Sequence, residues 1–277
     1  MRIGEFECVP LSDGTFRLDG GAMFGVVPKV LWERRVAADD RNCIPLALAP
    51  LLVRTPHETV LIDAGAGDKY AAKELAIYQF DRRDQLETSL AAAGVRPTDV
   101  DLVIATHLHW DHVGGLTTWR DGRLVPRFPR ARHVVRRGEW DVATHPNERI
   151  HASYVADDFV PLVEAGLVDF IDEDTDVRPG ISVRRASGHT AHHQIVRLES
   201  EGQVAIFAAD LLPTVAHLDP AWIMGYDLYP LDSLAAKKQV VAEAVAGEYV
   251  IFFEHDPVIR AGIIRQDAGR LRADSIG

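Results

Sequence analysis

The run Thr106-His107-Leu108-His109-Trp110-Asp111-His112 sets three histidines and a carboxylate within six residues, directly after the apolar segment Leu102-Val103-Ile104-Ala105. Imidazole nitrogen and carboxylate oxygen are the usual ligands of zinc and similar divalent ions. An apolar run ending in such a cluster reads as a buried strand delivering a ligand loop to a cleft, and Gly114-Gly115 fits a tight backbone just beyond. Scattered surface histidines would be the plainer explanation, but the pattern recurs. Val204 to Ala209 ends in Asp210, Tyr249 to Glu254 ends in His255, and Ser187-Gly188-His189-Thr190 closes a fourth strand-like stretch. Several strands thus aim ligands at one edge. A bound dication lowers the pKa of water from 15.7 toward about 7, so the chemistry expected at such an edge is hydrolysis.

The elements that must position these residues alternate between strand and helix signals. Ile3 to Pro10 reads as a strand, Ser12-Asp13-Gly14 as a turn, and Leu46 to Arg54 with Thr59 to Ile62 as a hairpin around Thr55-Pro56-His57-Glu58. From Asp81 to Ala93 the spacing of Leu86, Leu90 and Ala93 predicts an outer helix, which Gly94 stops and Pro97 prevents from continuing. Asp111 to Gly115 should open a second helix, whose N-terminus favours the Asp111 charge. Ala131 to Val135 and Val168 to Ile171 are expected strands on either side of a helix beginning at Glu139. Asp232 is the expected cap of a helix from Ser233 to Ala246. The glycine-rich run Asp19 to Pro28 carries Met23 and Phe24 and leads to Trp32, so it reads as a loop whose apolar side chains either enter the core or meet a ligand.

The order H-x-H-x-D-H, a histidine after glycine, an aspartate after an apolar strand and a late histidine resembles the metallo-β-lactamase-fold hydrolases in their two-metal form, over Leu48 to Ile264. The resemblance implies an α/β fold, an αββα sandwich of two mixed sheets flanked by helices. It implies that His107, His109 and His189 hold one divalent ion and Asp111, His112 and His255 the other. Asp210 and a water-derived hydroxide would be shared, with Asp111 and Asp210 as the catalytic carboxylates. Zinc is the expected metal, with manganese, cobalt and iron also suited to these ligands. Asp63-Ala64-Gly65-Ala66-Gly67 resembles the family's Asp-x-Gly turn, which places a supporting carboxylate near the metals without ligating them. His193 matches a second, supporting histidine, whereas Ala191-His192 replaces the usual Pro-Gly. His133, His145 and His151 have no counterpart in the motif.

Trp110, the three-histidine site and Glu254-His255-Asp256 resemble the lactonase and organophosphate-hydrolase branch. Acyl-homoserine lactonases commonly carry a tyrosine three positions after the shared aspartate; Pro213 stands there, so either another hydroxyl, such as that of Tyr226 or Tyr229, replaces it or the substrate is a different ester or phosphoester. The expected activity is cleavage of a small ester or lactone, with phosphotriester or phosphodiester hydrolysis as the alternative and an iron-dependent oxidoreductase of the same fold behind it. Met23, Phe24, Trp32 and Tyr226 are the expected substrate contacts.

Composition narrows the rest. With 277 residues and 47% hydrophobic content the chain can bury a sizeable core. Ligands spread from His107 to His255 without a Ser/Gly-rich linker imply one domain over residues 1–277, with 1–45 as N-terminal strand and active-site loop. A net charge of −11 disfavours nucleic acid as a partner, and the seven arginines between Arg120 and Arg137 read as a salt-bridged, solvated edge. No apolar h-region or spanning segment is evident, so a cytoplasmic protein with a small-molecule substrate and no membrane partner is expected, a homodimer being an option. Cys8 and Cys43 are too few for a disulfide framework.

Overall fold

Leu51-Leu52-Val53, Val60-Leu61-Ile62 and Leu102-Val103-Ile104 show why continuous apolar runs mark the strands here. Leu51, Val53, Val60, Ile62, Leu102 and Ile104 face a central cluster, while Leu52, Leu61 and Val103 face an outer one. Successive side chains point to opposite faces of a sheet, so a strand covered on both faces needs apolar residues at every position. The structure, a computed structural model, describes residues 1–81 and 85–276.

One seven-stranded sheet runs in the order Arg2–Ile3, Phe6–Pro10, Leu51–Arg54, Thr59–Ile62, Leu102–Ile104, Arg132–Arg136, Val168–Ile171, its last four strands mutually parallel. The other runs in chain order from Thr175–Arg178 through Ile181–Arg185, Gln194–Ser200, Gln203–Phe207, Val250–Phe252 and Ala261–Asp267 to Arg270–Ser275, with one parallel pair, Gln203–Phe207 beside Val250–Phe252. Both sheets are therefore mixed. Val183, Val196, Ala205, Phe207 and Phe252 meet the inner face of the first sheet in the shared central cluster. Leu86 and Leu90 of Leu86–Ala92, with Leu162, cover the outside of the first sheet. Val240, Val241 and Ala244 of Pro230–Gly247 cover the outside of the second. Two sheets face to face between two helical layers make the αββα sandwich.

Several local expectations change. The strand expected over Ile3 to Pro10 breaks at Gly4, whose φ is +54° and where a Cβ would lie 2.4 Å from the Ser200 carbonyl oxygen. Leu46 and Ala47 leave the expected hairpin, whose first strand begins at Leu51; they end Cys43–Ala47, which pairs with Thr15–Asp19 in a separate two-stranded sheet. Residues 82–84 of the expected 81–93 helix lie outside the described residues; the described part is Leu86–Ala92. Asp232 sits inside the first turn of Pro230–Gly247 rather than at its cap, because Pro230 already starts the helix. Gly20–Phe24 is a short helix, not a loop: Asp19 Oδ1 accepts from the Ala22 N–H at 2.9 Å and caps it. Among the described residues no helix is long and apolar enough to cross a membrane.

The basic stretch is largely neutralised. Arg127 pairs with Asp68 and Glu87, Arg132 with Asp169, Arg136 with Asp174 and Arg137 with Asp172. Cys8 is buried, and burial pushes its thiol up to about 12, away from reactivity.

Candidate metal centre

All seven expected ligands converge at the strand ends. The ligand atoms of His107, His109, His189 and Asp210 lie within 4.8 Å of one another, and so do those of Asp111, His112 and His255. Asp210 joins the two sets. Its Oδ2 faces His189 Nε2 at 3.0 Å and His107 Nε2 at 3.9 Å, while Oδ1 faces His255 Nε2 at 3.0 Å and His112 Nε2 at 3.6 Å. Asp111 Oδ2 approaches His112 and His255 at 3.9 and 3.8 Å.

Four histidines are oriented by their far nitrogens. His255 Nδ1 donates to the Ala47 carbonyl at 2.8 Å, and His189 Nδ1 to Asp227 at 3.1 Å. His107 Nδ1 lies 3.1 Å from the Thr106 hydroxyl, which donates to Asp63. His112 Nδ1 sits between Asp63 and Glu254 at 3.0 and 2.9 Å. Each arrangement leaves an inward lone pair, as a metal-binding imidazole requires. The inward nitrogens crowd together, His112 Nε2 to His255 Nε2 at 3.2 Å and His189 Nε2 to His109 Nδ1 at 3.0 Å, and His107 Nε2 is buried without a hydrogen bond. Nitrogens so gathered cannot all be satisfied by one another, and a divalent cation would satisfy them together, so these residues fit divalent metal.

The charges agree. Burial pushes the Asp210 carboxyl up, but His189, His112 and His255 outweigh it and hold it well below its ordinary value. Burial and the neighbouring histidines hold His107 and His109 well below the usual imidazole range, leaving them neutral. Burial opposes a charge on His189 and His255 too, yet Asp210 raises them to about 10 and about 9.

The loop carrying the first ligands is held by backbone packing. A Cβ at Gly114 would lie 2.1 Å from the Ala66 carbonyl oxygen, and one at Gly115 would lie 2.0 Å from that of Ala64. The Trp110–Val113 helix therefore lies against the Asp63 turn with no room for a side chain. Asp63, expected as a non-ligating support, accepts from Thr106 N–H at 2.8 Å and its hydroxyl at 2.7 Å besides meeting His112.

A cavity of about 500 Å³ opens over Asp111, His109, His189, Asp210 and His255. Phe16, Met23, Leu46, Trp110, Met224 and Leu228 give it apolar walls; Tyr78, Arg149 and Tyr226 add polar groups. Of the expected substrate contacts, Met23 and Tyr226 line it. Phe24 and Trp32 do not: they are 0% and 1% exposed and stack at 5.2 Å, with Phe24 also stacked on His217 at 4.8 Å. The capped Gly20–Phe24 helix turns Phe24 into the core, where Trp32 of the Lys29–Trp32 helix stacks on it, which corrects the expectation that they cover a substrate. Phe24→Ala should accordingly lower stability by about 3–5 kcal/mol and impair short and long substrates alike; a KM rise confined to long substrates, with an unchanged melting temperature, would restore Phe24 as a substrate contact.

Tyr229 lies outside the cavity wall, its N–H donating to the Gly188 carbonyl at 2.8 Å. His193 is buried with Nδ1 3.2 Å from the Ala186 carbonyl, its ring 5.1 Å from that of His107. His192 lies away from the ligands, its ring over Gly138. His133 is buried in its strand, while His145 bonds locally to Thr144 or Asp141 and His151 to Glu148. Sequence patterns gave no sign of Asp227, Glu139, Tyr78 or Arg149, because each reaches the site from a segment with no ligand of its own.

The sandwich and its seven converging ligands define a class, and sequence comparison agrees: residues 50–255 match the metallo-beta-lactamase superfamily, to which the chain belongs. It is a metal-dependent hydrolase of that superfamily. The chain is 33% identical to a probable metal-dependent hydrolase from Staphylococcus aureus, covering 100% of this chain and 98% of that one with a TM-score of 0.93. It is 24% identical over 228 residues to an N-acyl homoserine lactonase of Bacillus cereus, covering 78% of this chain and 83% of the relative. AidC, a dizinc quorum-quenching lactonase solved with a product bound, shares the fold with a TM-score of 0.81 at 20% identity, over 100% of this chain and 96% of its own.

Proposed function

We propose that this protein is a dinuclear zinc hydrolase that opens a lactone, or cleaves a small ester, bearing an apolar acyl group. The observation that carries the reading is Asp210, whose two oxygens face two separate ligand sets. A pair of divalent ions there would activate water and polarise the substrate carbonyl. The chain's own groups do the rest. Asp111 both faces the His112–His255 pair and lines the cavity, so its carboxylate stands where a proton can pass to the leaving oxygen. The apolar walls take the acyl group and exclude water. Tyr226, lining the same cavity and 39% exposed, is assigned the carbonyl-orienting hydroxyl that Pro213 does not offer; a phenol keeps its proton at neutral pH and is a donor there. The likeness to N-acyl homoserine lactonases supports the lactone. Single-domain organisation is supported by ligands drawn from both sheets and by their shared core.

The test is elemental analysis of protein purified without added metal, followed by a screen of lactones, aryl esters and phosphotriesters. About two equivalents and preferential lactone turnover are expected; full activity at one equivalent, or preference for phosphotriesters, would refute the respective half of the reading. Tyr226→Phe should lower kcat/KM for lactones by about 10-fold or more while leaving metal content intact; unchanged kinetics would remove Tyr226 from the site.

A further inference from the structure

Glu139 belongs to none of the ligand patterns, yet it is 1% exposed and accepts three hydrogen bonds. Its Oε1 accepts from the Tyr154 hydroxyl at 2.9 Å and from the Leu108 N–H at 3.3 Å, and its Oε2 accepts from the Thr190 hydroxyl at 2.7 Å. Leu108 stands between His107 and His109, and Thr190 follows His189. The Tyr154 ring meets the His109 ring edge-on with centroids 4.8 Å apart. One side chain of the Arg137–Thr144 helix thus fastens both loops that carry the three histidines grouped with Asp210. The opposite ligand set is held otherwise, His112 by Asp63 and Glu254 and His255 by the Ala47 carbonyl.

A buried carboxylate is costly unless its oxygens are bonded. None of its three donors is cationic, so Glu139 gains little from ion pairing there; what its position secures is the spacing of the two loops. Partners that orient metal ligands typically govern affinity by about 10- to 100-fold. We propose that Glu139 is a positioning residue for one metal only, the ion held by His107, His109 and His189, so that this position can be weakened while the other, which shares only Asp210 with it, is spared.

The proposal rests on the two-metal reading, and the experiment separates the two. Metal-stripped wild type, Glu139→Ala, Glu139→Gln and Thr190→Val are titrated with zinc against a chromophoric chelator, with near-ultraviolet circular dichroism as the folding control. Wild type should bind two equivalents; fewer would refute the dinuclear reading itself. Glu139→Ala should weaken one equivalent by about 10- to 100-fold and spare the other. Combined with His255→Ala, which leaves only the three-histidine position, it should remove the remaining tight equivalent; combined with His189→Ala it should add nothing. Glutamine should restore binding, because its carbonyl can accept from Tyr154 and Leu108 while its amide donates to the Thr190 hydroxyl. Thr190→Val breaks one tie with little change of shape and should weaken the same equivalent, deciding the matter even if Glu139→Ala does not fold. Equal weakening of both equivalents, no weakening of either, or a glutamine variant as poor as alanine would overturn the proposal.

Discussion

Asp210→Asn is expected to weaken both metal positions together and to lower kcat/KM by well over the roughly 100-fold that loss of an outer partner costs. The reason is geometric: Oδ2 serves the His107 and His189 side and Oδ1 the His112 and His255 side. Replacing one oxygen by an amide nitrogen puts a donor where a ligand must be and removes a charge seen from both positions. Elemental analysis and kinetics on the same preparation check this. His192→Ala is the matched control, because its ring lies over Gly138 away from the ligands and its loss should leave metal content near wild type. A variant at Asp210 that keeps one equivalent at undiminished affinity would show that the carboxylate serves a single ion.

Metal removal should have the largest effect on stability. The centre sets imidazole nitrogens 3.0 and 3.2 Å apart and buries His107 Nε2 without a hydrogen bond, an arrangement that a bound cation would stabilise. A ligand at 1,000 times its dissociation constant stabilises the native state by about 4.1 kcal/mol, and a chain of this size shifts by about 2–4 °C per kcal/mol. Chelation should therefore lower the melting temperature by roughly 10 °C for each ion lost, and zinc should restore it. A melting temperature indifferent to chelator, in protein shown to have lost its metal, would mean that the histidines are satisfied without an ion.

The ligands were legible because each lies in or just after a loop that follows an apolar run, and strands covered on both faces announce themselves by composition. The supports of those ligands were less so. Asp63 was reachable through its neighbouring glycines, but Asp227 meets His189 across 38 positions and Glu139 meets Thr190 across 51, and no local periodicity records such pairings. The Gly20–Phe24 helix was hidden for a different reason. Two glycines argue against helix by propensity, and the cap from Asp19 together with burial of Met23 and Phe24 overrides them. That override is also why Phe24 reads as a cavity residue in sequence and as core in structure.

The hydrogen bond from His255 to the Ala47 carbonyl spans 208 positions of the chain. Closing so long a separation is entropically unfavourable until other contacts have formed, so the His255 side of the centre exists only after the Cys43–Ala47 strand has met the end of the second sheet. Metal uptake then becomes a clock for folding. A chain still emerging from the ribosome, with His255 not yet released, lacks the residue that completes the Asp111–His112 set, so that set is the last part of the centre to form.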